Sequence, residues 1–198
     1  MKLLYSPGSP FARKVRVVIR EKHLTARFQE FVTNPHDNGQ ELLALNPLAK
    51  VPAVELEHGS LFDSPLLCEY LDGLSPQPRL IPVEFLSRID VLRTQALADG
   101  IMDAAVASVL EKRRSDTAPS AHWLARWEAA MRRSVGMMSN LQLPDGVRLD
   151  GIAAACALSY LDYRFPAIPW RKEYPALAAW HASYTARQSF VETAPPAQ

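Results

Sequence analysis

The sequence predicts an α/β domain with a mixed four-stranded sheet, followed by an all-α domain built as a helical bundle. Residues 1–75 alternate strand-like and helical segments in the order β-α-β-α-β-β-α, which is typical of a mixed sheet covered by helices. Residues 76–83 contain three prolines and predict a stiff, extended linker. Residues 84–198 show helical periodicity without a convincing strand.

Each element has its own local signal. His58-Gly59 marks a hairpin between the last two strands of the first part. The strand candidates are 2–5, 27–32, 53–57 and 60–62. Apolar residues at helical spacing predict helices in the first part over 10–22, 40–45 and 64–74. In the second part the same spacing predicts helices over 84–114, 121–141, 150–163 and 175–186.

Composition argues against several classes of function. The net charge is +1 and no long run of one sign occurs, so no nucleic-acid partner is expected. Cys68 and Cys156 lie far apart in apolar helical patterns, which predicts buried thiols, no dithiol motif and no metal site. With no disulfide framework, signal-peptide pattern or long apolar run, we expect a soluble cytoplasmic protein that does not enter a membrane.

Ser9 and Pro10 lie where the first strand gives way to the first helix. A serine cap followed by proline at the first helical position is favoured for backbone reasons alone. The same geometry also suits anion binding, because a helix N-terminus offers free N–H groups and a positive dipole end. A hydroxyl can accept one hydrogen bond and donate another at the same time, so Ser9 can cap the helix and also bind an anion.

Val51 and Pro52 end the stretch NPLAKVP, just before a predicted strand. A cis Pro52 would turn the backbone of Val51 outward, where it can pair with an extended peptide-like ligand. An ordinary trans proline at a strand start is the simpler alternative. The sequence leaves this choice open.

Asp63 and Ser64 precede the third predicted helix. Helix capping explains both residues. A carboxylate and a hydroxyl at this position also suit the ammonium and carboxylate groups of an amino-acid-like ligand.

The stretches SPGSPFARKVR, NPLAKVPAVE and FDSPLLCEYL occur in this order, before the proline-rich linker and the helical half. Together with RQSFVETAPP near the C-terminus, they resemble the glutathione S-transferases, and most of all the small serine-type, theta- or zeta-like bacterial members. The resemblance implies a thioredoxin-like glutathione-binding domain over 1–75, a linker over 76–83 and a helical substrate domain over 84–198. It also implies a homodimer.

The resemblance assigns roles to individual residues. Ser9 is expected to donate a hydrogen bond to the glutathione sulfur, and Tyr5 at the end of the first strand is the competing donor. Val51 would pair with the cysteinyl part, with Pro52 cis. The remaining glutathione contacts are expected from Phe11, from Lys50 at the glycyl carboxylate, from Asp63 and Ser64 at the γ-glutamyl end, and from Asn34 and His36 in the loop.

The resemblance implies a transferase that uses glutathione as a co-substrate. The enzyme would ionise the glutathione thiol to a thiolate, which then attacks a small hydrophobic electrophile. Serine in place of cysteine argues against disulfide exchange. One alternative is a non-catalytic binding or regulatory subunit on the same fold. Another is a glutathione-dependent isomerase or dehalogenase, because these reactions use the same thiolate.

The pocket for the second substrate is expected on the long helix after the linker. Its candidate residues are Asp99, Met102, Asp103 and Val106, with Trp170 as a further apolar wall. The aspartates also fit a solvated or capping pair, and methionine or tryptophan at helical spacing is often core.

Three positions depart from the family pattern. Ala49 stands where many members have glycine, so it must accept a glycine-compatible backbone angle or shift the turn. Asp63 replaces the commoner glutamate. Val147 stands where Ser or Thr usually forms a capping box with Asp150, which leaves the stability of that helix start in doubt.

Overall fold

In the computed structural model, which describes residues 1–197, strands and helices alternate first and only helices follow. The strands are β1 (Lys2–Tyr5), β2 (Gln29–Val32), β3 (Ala53–Glu55) and β4 (Ser60–Phe62). Helices α1 (Pro10–Glu21), α2 (Gln40–Leu45) and α3 (Ser64–Gly73) belong to the first part. The helices of the second part are α4 (Phe85–Lys112), α5 (Ala121–Met138), α6 (Leu149–Arg164), α7 (Trp170–Glu173), α8 (Pro175–Thr185) and α9 (Gln188–Val191). Gln198, the last residue of the predicted helical domain, lies outside the described residues.

The four strands form one mixed sheet in the order β2-β1-β3-β4. β1 pairs in parallel with β2 and antiparallel with β3, and β3 pairs antiparallel with β4. The central strand β1 buries Leu3 and Leu4, on opposite faces. The predicted fold class, a thioredoxin-like sheet followed by helices, is confirmed.

Local differences from the prediction have simple causes. Residues 25–27 form a 3₁₀ turn, so β2 begins two residues later than predicted. Helices α7 and α9 have four residues each, which is too short to show a helical period in the sequence.

A buried ion pair holds residues 72–81 against the end of α1. Lys22 is 1% exposed, and its Nζ lies 2.8 Å from Asp72 Oδ1. The ammonium also donates to the carbonyl oxygens of Asp72, Ser75 and Pro78, at 3.0, 2.7 and 2.6 Å. The Asp72 carboxylate accepts from the backbone N–H groups of Leu80 and Ile81, at 2.8 and 3.1 Å. The path of the proline-rich segment is therefore set by two side chains outside it.

A second buried pair joins α1 to α4. Lys14 is fully buried, and its Nζ lies 2.6 Å from Asp99 Oδ1. Gln95 contributes a longer contact from Nε2 to Asp99 Oδ2 at 3.5 Å. The long helix is thus tied directly to the helix that begins at Ser9.

The start of α6 lacks a side-chain cap, as Val147 predicted, and has an Arg148–Asp150 ion pair instead. Arg148 donates to both carboxylate oxygens of Asp150, at 2.8 and 2.6 Å, and Asp150 is 3% exposed. A bidentate pair of this kind stabilises a buried carboxylate. A β-carbon at Gly151 would lie 2.6 Å from Tyr184 Oη, so only glycine lets Tyr184 approach the helix here. The Arg148–Asp150 ion pair therefore compensates for the capping residue that is missing at Val147.

His181 joins α8 to α6 as a neutral imidazole. It is 3% exposed, with Nε2 at 3.0 Å from Ser159 Oγ and Nδ1 at 2.9 Å from Arg171 Nη2. A guanidinium only donates, so Nδ1 accepts and the ring proton lies on Nε2. Burial and the positive charge of Arg171 lower the pKa of His181 to about 4.

We expect the protein to lose stability as pH falls from about 6.5 to about 4, the pKa values of His181 in the unfolded and folded states. Between these two pH values His181 binds a proton in the unfolded chain but not in the folded chain, so the free energy of unfolding falls. The contribution of His181 to this fall approaches ~3 kcal/mol, and it stops growing below the folded-state pKa. Urea denaturation at several pH values measures it. In the His181→Gln variant this part of the pH dependence should disappear, and an unchanged slope would contradict the assignment.

Candidate active site

A continuous cleft separates the sheet domain from α4. It consists of two adjoining cavities of about 580 and 490 Å³. Five residues line both cavities, namely Phe11, Leu48, Lys50, Val51 and Asp103. We call the smaller one, lined also by Pro52, Asp63 and Asp99, the sheet-side cavity. We call the larger one, lined also by Ser9, Val106 and Tyr160, the helix-side cavity.

Ser9 caps α1 and lines the helix-side cavity. Its Oγ accepts a hydrogen bond from the Ala12 N–H at 3.2 Å. The capping bond uses an acceptor site of the hydroxyl, which leaves its proton free to donate to a ligand. The structure therefore permits the cap and the ligand contact together.

Tyr5, the competing donor, lies outside the cleft. The guanidinium of Arg16 lies 4.2 Å from the centre of the Tyr5 ring. Tyr5 is not among the residues that line either cavity. Its position therefore favours Ser9 as the group that meets a ligand in the cleft.

Asn46 organises the loop that forms one wall of the cleft. It is 2% exposed; its Nδ2 donates to the Lys50 carbonyl at 2.8 Å, and its Oδ1 accepts from the Leu48 N–H at 3.0 Å. Ala49 adopts φ of +52°, the glycine-compatible angle that its position requires. The role of Asn46 was not predicted, although an Asn-Pro pair at a turn is a signal for this kind of loop.

Val51 and Lys50 present the loop to the cleft. The Val51–Pro52 peptide bond is cis, and Val51 lines both cavities while staying 8% exposed. Lys50 is exposed at the rim, and its ammonium forms no ion pair with a carboxylate of residues 1–197. The wall thus offers backbone groups and one unpaired positive charge.

Asp63 and Ser64 begin α3, but not as a conventional cap. Asp63 has φ of +58°, and its side chain makes no capping hydrogen bond, so the capping explanation is wrong for this residue. Its exposed carboxylate lines the sheet-side cavity. Ser64 is fully buried and its Oγ has no hydrogen-bond partner, an arrangement that costs stability unless a ligand or a small movement supplies one.

The structure brings only some of the expected second-substrate residues to the cleft. Asp103 and Val106 line it, and Asp99 lines the sheet-side cavity while paired with Lys14. Met102 is wrong as a pocket residue: it is fully buried in the core, because one residue on a helix is a rotation of about 100° away from Asp103. Trp170 is likewise wrong, being 2% exposed and packed edge-on against His181.

Asp103 is the carboxylate most affected by the cleft. Loss of solvent and the neighbouring Asp99 charge raise the pKa of Asp103, while Lys50 acts in the opposite direction. Asp103 therefore takes up a proton more readily than an isolated aspartate.

Three polar residues of the helical domain line the helix-side cavity and were not predicted from the sequence. Arg113 lies just after α4, and Tyr160 and Arg164 lie on α6. Arg113 follows Val106 by seven residues, or two helical turns, and this spacing predicts that both lie on the same side of the helix. The position of α6 opposite α4 depends on packing between segments about fifty residues apart. No local sequence pattern could therefore predict that Tyr160 and Arg164 line the cavity.

The two cysteines lie outside the cleft and are buried. Among residues 1–197 no group of three or more His, Cys, Asp or Glu side chains could hold a metal ion. Both cysteines are buried as predicted, and burial raises the pKa of Cys68 to about 12 and of Cys156 to about 11. Neither thiol forms the anion that a nucleophile requires. In the same part of the chain, no helix is long and apolar enough to cross a membrane.

Comparison with known proteins defines the class. Residues 3–79 match the family model described as glutathione S-transferase, N-terminal domain. The uncharacterized GST-like protein YibF of Escherichia coli K12 is 36% identical over 202 residues, which cover 99% of both chains. The chain therefore belongs to the glutathione S-transferase family.

Solved structures agree with this membership. A glutathione transferase family member from Pseudomonas fluorescens Pf-5, with bound glutathione, matches with a TM-score of 0.94 and 34% identity over 99% of both chains. A glutathione S-transferase from Methylobacillus flagellatus KT, with GSH bound, matches with a TM-score of 0.91 and 37% identity over 98% of this chain and 99% of that one.

Proposed function

We propose that this protein is a glutathione transferase that stabilises the glutathione thiolate and directs it at a small electrophile. The observation that carries the proposal is the Ser9 hydroxyl, which caps α1 and opens on a two-part cleft. Cavities of about 490 and 580 Å³ are in the range of small-molecule sites, so the cleft has room for a tripeptide and a second substrate. The glutathione bound in the two related structures supports the choice of tripeptide.

Each part of glutathione has a matching group in the cleft. The cysteinyl backbone would pair with Val51, in the manner of an added strand. The γ-glutamyl end would lie in the sheet-side cavity, its ammonium near Asp63 and its carboxylate at the N-terminus of α3. Ser64 lines neither cavity, and a small movement would be needed to bring its buried, unpartnered hydroxyl to that carboxylate. Phe11 and the unpaired Lys50 ammonium would contact the rest of the peptide, with Lys50 at the glycyl carboxylate.

The chemistry follows from the acidity of the thiol. A free thiol has a pKa of ~8.5, so only a small fraction is ionised at neutral pH. A hydrogen bond from Ser9 and the positive end of α1 would stabilise the thiolate, and each unit of pKa shift requires ~1.4 kcal/mol. The proton leaves to solvent, and the sulfur forms a bond to the electrophilic carbon while the leaving group departs with its electrons.

Three measurements test the proposal in sequence. Retention on immobilised glutathione and calorimetry report binding, the ultraviolet thiolate band reports ionisation, and mass spectrometry of products from an aryl halide reports thioether formation. We expect all three to be positive. Absence of glutathione binding would favour a non-catalytic subunit. Thiolate formation without thioether, together with a rearranged or dehalogenated product in a screen of alkenes and haloalkanes, would favour an isomerase or dehalogenase.

We also propose a homodimer through the exposed apolar surface at the start of α4. Phe85 and Leu86 are 68% and 67% exposed, and Leu66 on α3 is 49% exposed. An ion pair between Arg88 and Glu69 links these two helices, and Phe85 and Leu66 each lie three residues before a member of that pair, on the same helix face as it. A patch of large apolar side chains is typical of a protein–protein interface.

Replacing Phe85 by aspartate should convert the dimer to a monomer, because a charge would be buried in the interface. Sedimentation equilibrium measures the change. The matched control is Val191→Asp, at a 59% exposed position on α9. A monomeric wild-type protein, or a dimer unaffected by Phe85→Asp, would contradict the proposal.

A further inference from the structure

The helix-side cavity differs from a purely apolar pocket. Val106, Val109 and Leu110 form an apolar strip along α4 that faces the cavity. The same face continues to Arg113, which lies just beyond the helix, about 15 Å from Asp103 along the axis. The strip therefore ends in a positive charge.

A second positive charge approaches from α6. Tyr160 and Arg164 are four residues apart and share one face of that helix. The Arg164 guanidinium carbon lies 4.0 Å from the centre of the Tyr163 ring. Its Nη2 lies 3.4 Å from where a β-carbon at Gly8 would be, which places it beside the loop that carries Ser9.

Neither of these two arginines forms an ion pair with a carboxylate in the described part of the chain, as several other arginines of the protein do. Arg16, Arg148 and Arg171 each contact a carboxylate oxygen at 2.6 or 2.7 Å. Within residues 1–197, neither Arg113 nor Arg164 forms an ion pair, and Arg164 Nε is buried without a hydrogen-bond partner. A buried donor without a partner is costly, which points to a ligand that supplies the acceptor.

The charges of the cavity also favour an anion. Among the described residues that line it, Asp103 is the one carboxylate, against the cations of Lys50, Arg113 and Arg164. Burial raises the pKa of Tyr160, while the charge of Arg164, the hydrogen bond that Arg164 donates to the phenol and the charge of Arg113 act in the opposite direction. Two guanidinium groups thus line the same cavity, both near enough to Tyr160 for their charges to act on its phenol.

We propose that the second substrate is an electrophile with an apolar body and a carboxylate, held by Arg113 and Arg164 at the end of the strip. Guanidinium forks match the planar, bidentate geometry of a carboxylate. The apolar body would cover Val106 and Leu110 and bring the electrophilic carbon towards Ser9. This inference rests on the proposed transferase function.

The reaction can be tested with a matched pair of aryl halides, 4-chloro-3-nitrobenzoate and 4-chloro-3-nitrobenzamide. In both, the thiolate forms a carbon–sulfur bond, and the carbon–chlorine bond breaks as chloride leaves with the electron pair. The thiol proton goes to solvent, and nothing is oxidised or reduced. Each kcat/KM is divided by the uncatalysed rate constant, which corrects for the different reactivity of the two rings.

We expect the corrected kcat/KM of the wild-type protein to be at least tenfold higher for the acid than for the amide. In Arg113→Met and in Arg164→Met this ratio should fall about tenfold, because KM for the acid rises. Arg113 is exposed, so its replacement leaves the fold intact even if Arg164→Met does not. Arg133→Met, at an exposed site on α5 outside both cavities, is the control and should keep the preference.

Other outcomes have definite meanings. A weaker affinity for glutathione in the variants would show that the arginines bind the glycyl carboxylate. An equal fall in kcat/KM for acid and amide, together with a raised pKa of the glutathione thiol, would show that they act on the thiolate. Either result, or turnover without acid preference, overturns this inference and leaves the transferase function standing. Absence of glutathione binding or of thioether product overturns the proposed function and this inference with it.

Discussion

Replacing Lys22 by methionine is expected to lower the free energy of unfolding by about 3–5 kcal/mol, the usual effect of breaking a buried ion pair. The change removes the counterion of Asp72, whose side chain is 7% exposed, and leaves the carbonyls of Ser75 and Pro78 without a donor. The carboxylate of Asp72 stays buried, held only by two backbone N–H groups. Urea denaturation at pH 7 measures the loss.

Two further variants make this experiment specific. Lys172→Met removes an exposed lysine on α7 and should change stability by no more than ~0.5 kcal/mol. Asp72→Asn alone should also be strongly destabilising, and its effect should not add to that of Lys22→Met, because the two residues share one interaction. A loss below ~1 kcal/mol, or full additivity, would contradict the role assigned to the pair.

Replacing Ser9 by alanine is expected to raise the pKa of bound glutathione by one to two units and to lower kcat/KM about 10- to 100-fold at neutral pH. The size follows from the loss of one hydrogen bond to an anion, worth ~1.5–3 kcal/mol. Because the thiolate is the reactive form, the pH profile should shift to higher pH, and the rates of the two proteins should converge above both pKa values. The ultraviolet thiolate band of the glutathione complex gives the pKa directly.

Separate variants distinguish the cap from the chemistry. Ser9→Ala also removes the bond to the Ala12 N–H, so a loss of about 1 kcal/mol in stability is expected beside the kinetic effect. Ser9→Thr keeps the hydroxyl and should preserve most of both functions. Tyr5→Phe should leave the thiol pKa unchanged, because Tyr5 lies against Arg16 outside the cleft. A raised pKa in Tyr5→Phe with none in Ser9→Ala would assign the donor to Tyr5.

Much of the sheet domain could be predicted because its signals are local. The strands follow from short apolar or alternating runs, and the helix starts follow from Ser9-Pro10 and Ser64-Pro65. Ala49 was expected to need a glycine-compatible angle, and its φ is +52°. Such features depend on a few neighbouring residues, so a single sequence carries them.

The substrate half of the cleft was predicted less well. Val106 and Asp103 were expected and are found there, whereas Met102 is in the core and Arg164 was not considered. Periodicity places residues on a helix face, but the direction of that face depends on which other helix packs against it. Helix α4 packs against both α5 and α6, and no local pattern specifies that arrangement.

The sequence by itself determined the order of elements in the sheet domain and the cap at Ser9, because hydrophobic period, prolines and turn residues act over a few positions. The tertiary structure alone decided that Lys22 holds the proline-rich segment through Asp72 and that Arg113 and Arg164 meet in one cavity. Ion pairing and burial depend on distances between residues remote in the chain. Those distances exist only once the helices have packed.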